Sequence, residues 1–277
     1  MTTTLRGVVK TKVYTKDELI EKLKEIKDLG FVECTRPAND GCVGNTLEDL
    51  LEIEENNIPL ANSGEWELKA QRTSTSSLTT LTHFEPSPRA IKFVSKVFLP
   101  KYGWPHETLG GEMSFRQTLN ATQRTDRGFT IIVNQEKKRV EVSFDAKKVD
   151  TRHSEWLKSV EGKVGLAELD PQPYWGFDDL FHKFGAKLPN CVYIKAEVET
   201  GPSITKGRID GRISKTEKYK YSDIYLCSTL DQDKILKAIT EGNIYVDFDA
   251  RTHHNHGTKF RMVQNALPQL YKNVVKI

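Results

Sequence analysis

Glu65, Glu67 and Lys69 occupy alternate positions in the run Glu65-Trp66-Glu67-Leu68-Lys69-Ala70. Polar and apolar residues alternate there as in a half-buried strand. Two carboxylates and an ammonium then project from one side, while Trp66 and Leu68 point into a core. Taken alone, that spacing more commonly means a charge ladder on an exposed strand face. The surroundings point to chemistry. Glu48 falls near the register of the apolar side of a preceding helix, where an acid is costly unless paired or metal-bound. A short connection from Asn56 to Gly64 contributes Asn62. A helix acid, a turn residue with a side-chain oxygen, and an acid-x-lysine on a strand suit phosphodiester hydrolysis. The strand acid and the turn residue would hold Mg2+ through hard oxygens. The cation would polarise the phosphate and acidify the attacking water. The lysine would orient that water or neutralise charge in the transition state.

Other polar groups suggest contacts to an anionic polymer. Thr252 to Gly257 holds His253, His254 and His256, but this spacing, with no cysteine nearby, lacks the usual zinc-ligand pattern. With Arg251, Lys259 and Arg261, His254 and His256 better suit contacts to phosphates and base edges; the alternative is an ordinary surface turn. Gln71 and Arg72 leave the charged strand as further backbone or base contacts. The basic stretch 206–220 reads either as a DNA-reading hairpin or as a solvated edge. Tyr174, Trp175 and Phe177 suit a core plug better than a base-stacking platform. Lys92, Lys96 and Lys101 read as helix-surface charges.

The elements that must position these residues can be outlined. A helix is expected over 15–30, with Thr15 and Glu18 as its capping box, Leu19, Ile20, Leu23 and Ile26 as its apolar stripe and Gly30 as its stop. A second is expected near 46–54, capped by Asn45 and burying Leu47, Leu50, Leu51 and Ile53. The Ser/Thr-rich segment 73–82 could be a strand or a cleft-lining loop. Residues 128–134 and 139–145 make a hairpin. Helices are expected near 153–161, 177–184 and 230–241, and strands near 190–199, 219–227 and 243–250. A His-rich turn and an irregular tail follow. The pattern is mixed α/β.

The 277 residues carry 37% hydrophobic and 29% charged side chains, the balance of a folded protein. No apolar run approaches the roughly 18 residues that span a bilayer. Met1 to Arg6 lacks the apolar core of a secretory signal, so a cytoplasmic protein is expected. The four cysteines, Cys34, Cys42, Cys191 and Cys227, form no close pair, which argues against a disulfide framework or thiolate zinc site. With a net charge of only +3, anionic partners must be held by local clusters.

The blocks Asn45–Leu51, Glu54–Pro59, Gly64–Arg72, Thr75–His83, Glu85–Pro88 and Asp247–Arg261 resemble the MvaI/BcnI group of restriction endonucleases. That group is related to the mismatch-repair nicking enzyme MutH. The resemblance implies a mixed α+β fold with a PD-(D/E)XK restriction-endonuclease-like core and a second DNA-recognition lobe. The catalytic lobe would take residues 1–147 and the recognition lobe 148–277, with double-stranded DNA between them. The implied activity is that of a prokaryotic, Mg2+-dependent type II restriction endonuclease. It would cut at a short specific site as a monomer, nicking one strand at a time, with a cognate DNA methyltransferase encoded nearby. By position, Glu48 matches the family's helix glutamate, Glu67 its metal-binding acid and Lys69 its lysine. His83 falls at a groove-contacting histidine. Asn62 stands where the first metal-ligand aspartate is expected, a departure, because an amide carbonyl is a neutral and weaker ligand. Glu65 or Glu48 would then supply the missing charge. The alternatives are a MutH-like nicking or repair endonuclease, or a DNA-binding protein whose nuclease site has decayed.

Overall fold

The computed structural model describes residues 14–36, 41–53, 65–73, 75–205 and 213–277, without the side chains of 203–205 and 213–215. The first half of the chain carries α1 (Lys16–Asp28), β1 (Val32–Glu33), α2 (Cys42–Leu50), β2 (Trp66–Arg72), β3 (Thr79–His83), a π-helix (Val94–Tyr102), β4 (Trp104–Pro105), β5 (Met113–Leu119), β6 (Arg127–Asn134) and β7 (Arg139–Val149). The second carries α3 (Ser154–Val164), β8 (Tyr174–Gly176), α4 (Phe177–Lys187), β9 (Asn190–Thr205), β10 (Ile213–Leu230), α5 (Gln232–Thr240), β11 (Ile244–Arg251), β12 (His254–Met262) and β13 (Tyr271–Lys276). They form two compact units, each assembled from separated stretches. The first draws on 1–76, 188–229 and 271–277, the second on 77–187 and 230–270. The sequence boundary at 147/148 falls within β7, in the second unit. No helix among the described residues is long and apolar enough to cross a membrane.

In the first unit, one sheet runs β1-β10-β9-β2, with β13 also on β10. β2 is parallel to β9, and β9 antiparallel to β10. Leu19, Leu23 and Ile26 of α1 and Val43 and Leu47 of α2 pack with Trp66, Leu68, Val192 and Ile194 of the sheet. α1 begins as its sequence dictates, with Thr15 and Glu18 forming a reciprocal capping box. Gly30, at φ 70°, turns the chain where other residues are strained.

α2 corrects the sequence reading, because it starts at Cys42 after Gly41 rather than near 46 behind Asn45. The reason is covalent. Cys34 and Cys42 are joined in a disulfide with Cα atoms 6.0 Å apart, contrary to expectation, and Cys42 enters the core as the helix's first residue. A spacing of eight residues carries no local signature of pairing.

The second unit holds the sheets β3-β12-β11-β5-β4 and β6-β7-β8. The expected hairpin is β6–β7. Along β11, Ile244, Val246, Phe248 and Ala250 are buried and the residues between them are not. Phe98 of the π-helix stacks on Phe115 at 4.8 Å and meets Phe248 edge-on at 5.1 Å. Trp175 is fully buried, donates its indole N–H to the Phe84 carbonyl at 3.0 Å and lies edge-on to Phe260, so the core reading holds for it. The His-rich segment and the tail differ from expectation. His254 to Met262 is strand β12, paired on both sides, and the tail ends in β13. Inward-facing Thr258, Phe260 and Met262 alternate in β12, a period masked by its polar first half.

Candidate functional site

Two polar constellations emerge, one in each unit. In the first, Trp66 and Leu68 turn towards the helices while Glu67, Lys69 and Gln71 take the other face of β2. That face is not a solvent-exposed ladder. Parallel pairing sets Glu67 beside Cys191 and Lys69 beside Tyr193, and β10 continues the face with Tyr225 and Cys227. Glu67 is 1% exposed, and its Oε1 accepts from Lys69 Nζ at 2.6 Å. Around the pair lie neutral groups. Burial pushes the Cys191 thiol and the Tyr271 phenol well up. Burial, with Tyr225 alongside, pushes Tyr193 up to about 12. Tyr193 therefore keeps its proton and donates to Gln71 Oε1 at 3.0 Å. The result is an ion pair of opposite charges in a largely buried polar pocket, where each charge acts more strongly than in water.

The remaining expected residues of this unit are distributed. Glu65 precedes the strand, is exposed, and borders a recess of about 440 Å³ with Lys16, Trp66 and Asn190. Glu48 is half-buried on α2, the helix packed against the Trp66 side of the sheet. Asn62 lies outside the described residues. Arg72 sits 2.7 Å from Glu217 and within hydrogen-bond reach of the Tyr219 hydroxyl. Sequence reasoning missed Cys191, Tyr193 and Tyr271, which wall the Glu67 pocket. No local signal could find them, since they reach β2 only through tertiary pairing.

In the second unit, one sheet face collects His83, Arg251, His254, His256, Lys259 and Arg261, all picked out from the sequence. Cross-strand partners share a face, and the register pairs Lys259 with His83 and Asp247, and Arg251 with His254. Acids hold the cations in place: Arg116 on Asp249 at 3.0 Å, Arg251 on Glu112 at 2.7 Å and Arg261 on Asp247 at 3.3 Å. Lys259 Nζ lies 3.8 Å from Asp249. Sequence reasoning missed Arg116, whose pairing with Asp249 only the sheet brings about. A bulge breaks the β11–β12 register between Phe248 and Ala250, setting His256 and Gly257 against Asp249 alone. Gly257 takes φ 76°, and a Cβ there would meet Glu85 Oε1 at 3.2 Å. Glu85 pins the bulge by accepting from the Thr258 amide at 2.8 Å and its hydroxyl at 2.9 Å.

Whether Mg2+ suits the first constellation can be judged from its donors. Glu67 offers a hard carboxylate beside a lysine, the ligand type that the cation prefers. Among the described residues, no three His, Cys, Asp or Glu side chains gather into a metal cluster. The other oxygens would come from Glu65, at the strand's entry, and from Asn62.

The fold is that of a restriction endonuclease. A structure of restriction endonuclease MvaI with its cognate DNA substrate matches at a TM-score of 0.69 and 24% identity, covering 95% of this chain and 99% of that one. A structure of MvaI in the absence of DNA matches at a TM-score of 0.55 and 25% identity, covering 96% and 99%. Comparison with curated proteins gives no match. The family model of the MvaI/BcnI restriction endonucleases matches residues 20–271, and the chain belongs to that family. It is a restriction endonuclease acting on DNA, of the type II site-specific deoxyribonuclease class.

Proposed function

We propose that the enzyme hydrolyses phosphodiester bonds of double-stranded DNA at a short specific site with Mg2+, through a PD-(D/E)XK centre built on β2. The observation that carries this is the buried Glu67 carboxylate, 2.6 Å from Lys69 Nζ, on a strand whose opposite face is core. Glu67, with Glu65 and Asn62, would hold the cation, which when bound polarises the scissile phosphate and acidifies the attacking water. Glu48, on the helix that packs against the opposite, Trp66 face of the sheet, is not assigned to the cation. Lys69, oriented by Glu67, places its ammonium where negative charge grows on the phosphoryl oxygens. Gln71, whose side-chain oxygen accepts from Tyr193, would donate its amide to the DNA backbone.

The polar face of the second unit is proposed to read the DNA, with Arg116 and Lys259 on phosphates and His83, His254, His256, Arg251 and Arg261 towards base edges. The acids that tether these cations favour reading over unspecific adhesion, since each contact must be exchanged for a partner on the DNA. Support comes from MvaI itself, whose matching structure is a complex with its cognate DNA substrate. With a single centre per chain, the enzyme would act as a monomer and nick one strand at a time. A methyltransferase of the same specificity would protect the host.

The test is digestion of a long DNA of known sequence with Mg2+, followed by sequencing of the ends. Discrete ends sharing a motif, with an open-circular intermediate from supercoiled plasmid, are expected. No cutting with any divalent cation would favour the reading that Asn62 motivates, a DNA-binding protein with a decayed centre.

A further inference from the structure

His254 and His256 lie on the outer face of β12, both exposed, and their Nε2 atoms stand 2.9 Å apart with the rings 84° to one another. On a strand, residues two apart share a face, and the bulge at Asp249 holds the second histidine against that acid rather than in a regular ladder position. Metal–imidazole bonds of about 2.0–2.1 Å meeting at a right angle require a nitrogen separation of roughly 2.9 Å, whereas a tetrahedral angle requires roughly 3.3 Å. The observed separation is that of an Nε2–H···N hydrogen bond and lies within reach of the right-angle case. We infer that His254 and His256 form a two-nitrogen chelate for a borderline divalent transition cation. Octahedral or square-planar Ni2+ or Cu2+ is preferred over tetrahedral Zn2+. This site lies in the second unit, whereas Glu67 and Lys69 lie in the first.

Without metal, one imidazole Nε2–H donates to the other ring's lone pair. On metal binding, the donor ring moves its proton from Nε2 to Nδ1, so both Nε2 lone pairs face the cation and no net proton is lost. Asp249 Oδ2, 3.9 Å from His256 Nε2, is the nearest carboxylate. It is tied to Arg116 and Lys259, so water completes the coordination shell.

The experiment is calorimetric titration of the full chain with Ni2+, Cu2+ or Zn2+ alone, beside His254→Ala, His256→Ala and the double variant. The exposure of both residues leaves the fold intact, which circular dichroism checks. One Ni2+ equivalent should bind to the parent and weaken about tenfold or more in each single variant, as expected when a bidentate site becomes monodentate. Cu2+ spectra should report two imidazole nitrogens in the parent and one in each single variant. Single variants that bind Ni2+ like the parent would overturn the chelate. So would parent binding equal to that of the double variant, or tighter binding of Zn2+ than of Ni2+.

Discussion

A carboxylate that is 1% exposed, paired with a lysine whose side chain is 18% exposed, is an unstable arrangement to disturb. Removing one partner of a buried pair leaves an uncompensated charge and typically costs about 3–5 kcal/mol. Lys69→Met should therefore lower both thermal stability and cleavage, and adding Glu67→Gln should restore part of the stability but none of the activity. Cleavage in either single variant should fall roughly 10²–10³-fold or more. Plasmid nicking rates beside melting curves check this, and unaltered nicking in both variants would remove β2 from the mechanism. A second residue-scale prediction concerns Glu217. Burial pushes its carboxyl up, but hydrogen bonds from Tyr219 and Arg72 and the Arg72 charge outweigh that, so its pKa lies below the ordinary 4.5. A lowered folded pKa gives stability that is present above the unfolded value and lost as pH falls through the folded one. Glu217→Gln should be destabilised near neutral pH, and its deficit relative to the parent should shrink as pH drops below about 4.5. Melting temperatures measured across that range decide it.

At the scale of elements, α2 depends on a covalent link that helix propensity could not supply. Closing a span of eight residues restricts the unfolded chain by about 2.5 kcal/mol in the loop-entropy view. Cys34→Ser should lose about that much stability, and a dithiol reductant should lower the parent's melting temperature but leave the variant's unchanged. A reductant effect that persists in Cys34→Ser would place the sensitivity elsewhere. α1 was legible in the sequence because its capping box and apolar stripe are local, with contacts within one or two turns. The boundary of α2 was not, since it follows from a covalent partner outside the helix, Cys34. The β11–β12 hairpin lies between these cases. β11 announced itself by alternation, whereas β12 was hidden because its exposed half is histidine and asparagine.

At the scale of the molecule, a net charge of +3 gives little bulk attraction to DNA, so the proposed reading rests on one organised face. If Arg116 and Lys259 meet phosphates, Arg116→Ala and Lys259→Ala should each weaken binding uniformly across sequences and flatten the salt dependence by roughly 0.9 in log–log slope. Arg261→Ala should instead relax preference at one base pair, by about 1–3 kcal/mol. Fluorescence anisotropy over a salt series, on site-bearing and scrambled duplexes, separates the two behaviours. An unchanged slope in both Arg116→Ala and Lys259→Ala would take the phosphates away from this face.

The sequence by itself determined the acid-x-lysine on a strand with a core-facing other side, because strand period and apolar alternation are properties of adjacent residues. The same holds for α1, for the β6–β7 hairpin, and for the family, whose ordered blocks are written along the chain. Only the tertiary structure decided that Glu67 and Lys69 are enclosed. The residues enclosing them, Cys191, Tyr193 and Tyr271, come from β9 and β13, and burial is a sum over distant segments. It also decided that six scattered basic and histidine residues share one sheet face, and that a bulge sets His254 and His256 nitrogen to nitrogen. Register and disulfide pairing depend on which strands and cysteines meet in space, and no spacing along a single chain encodes that.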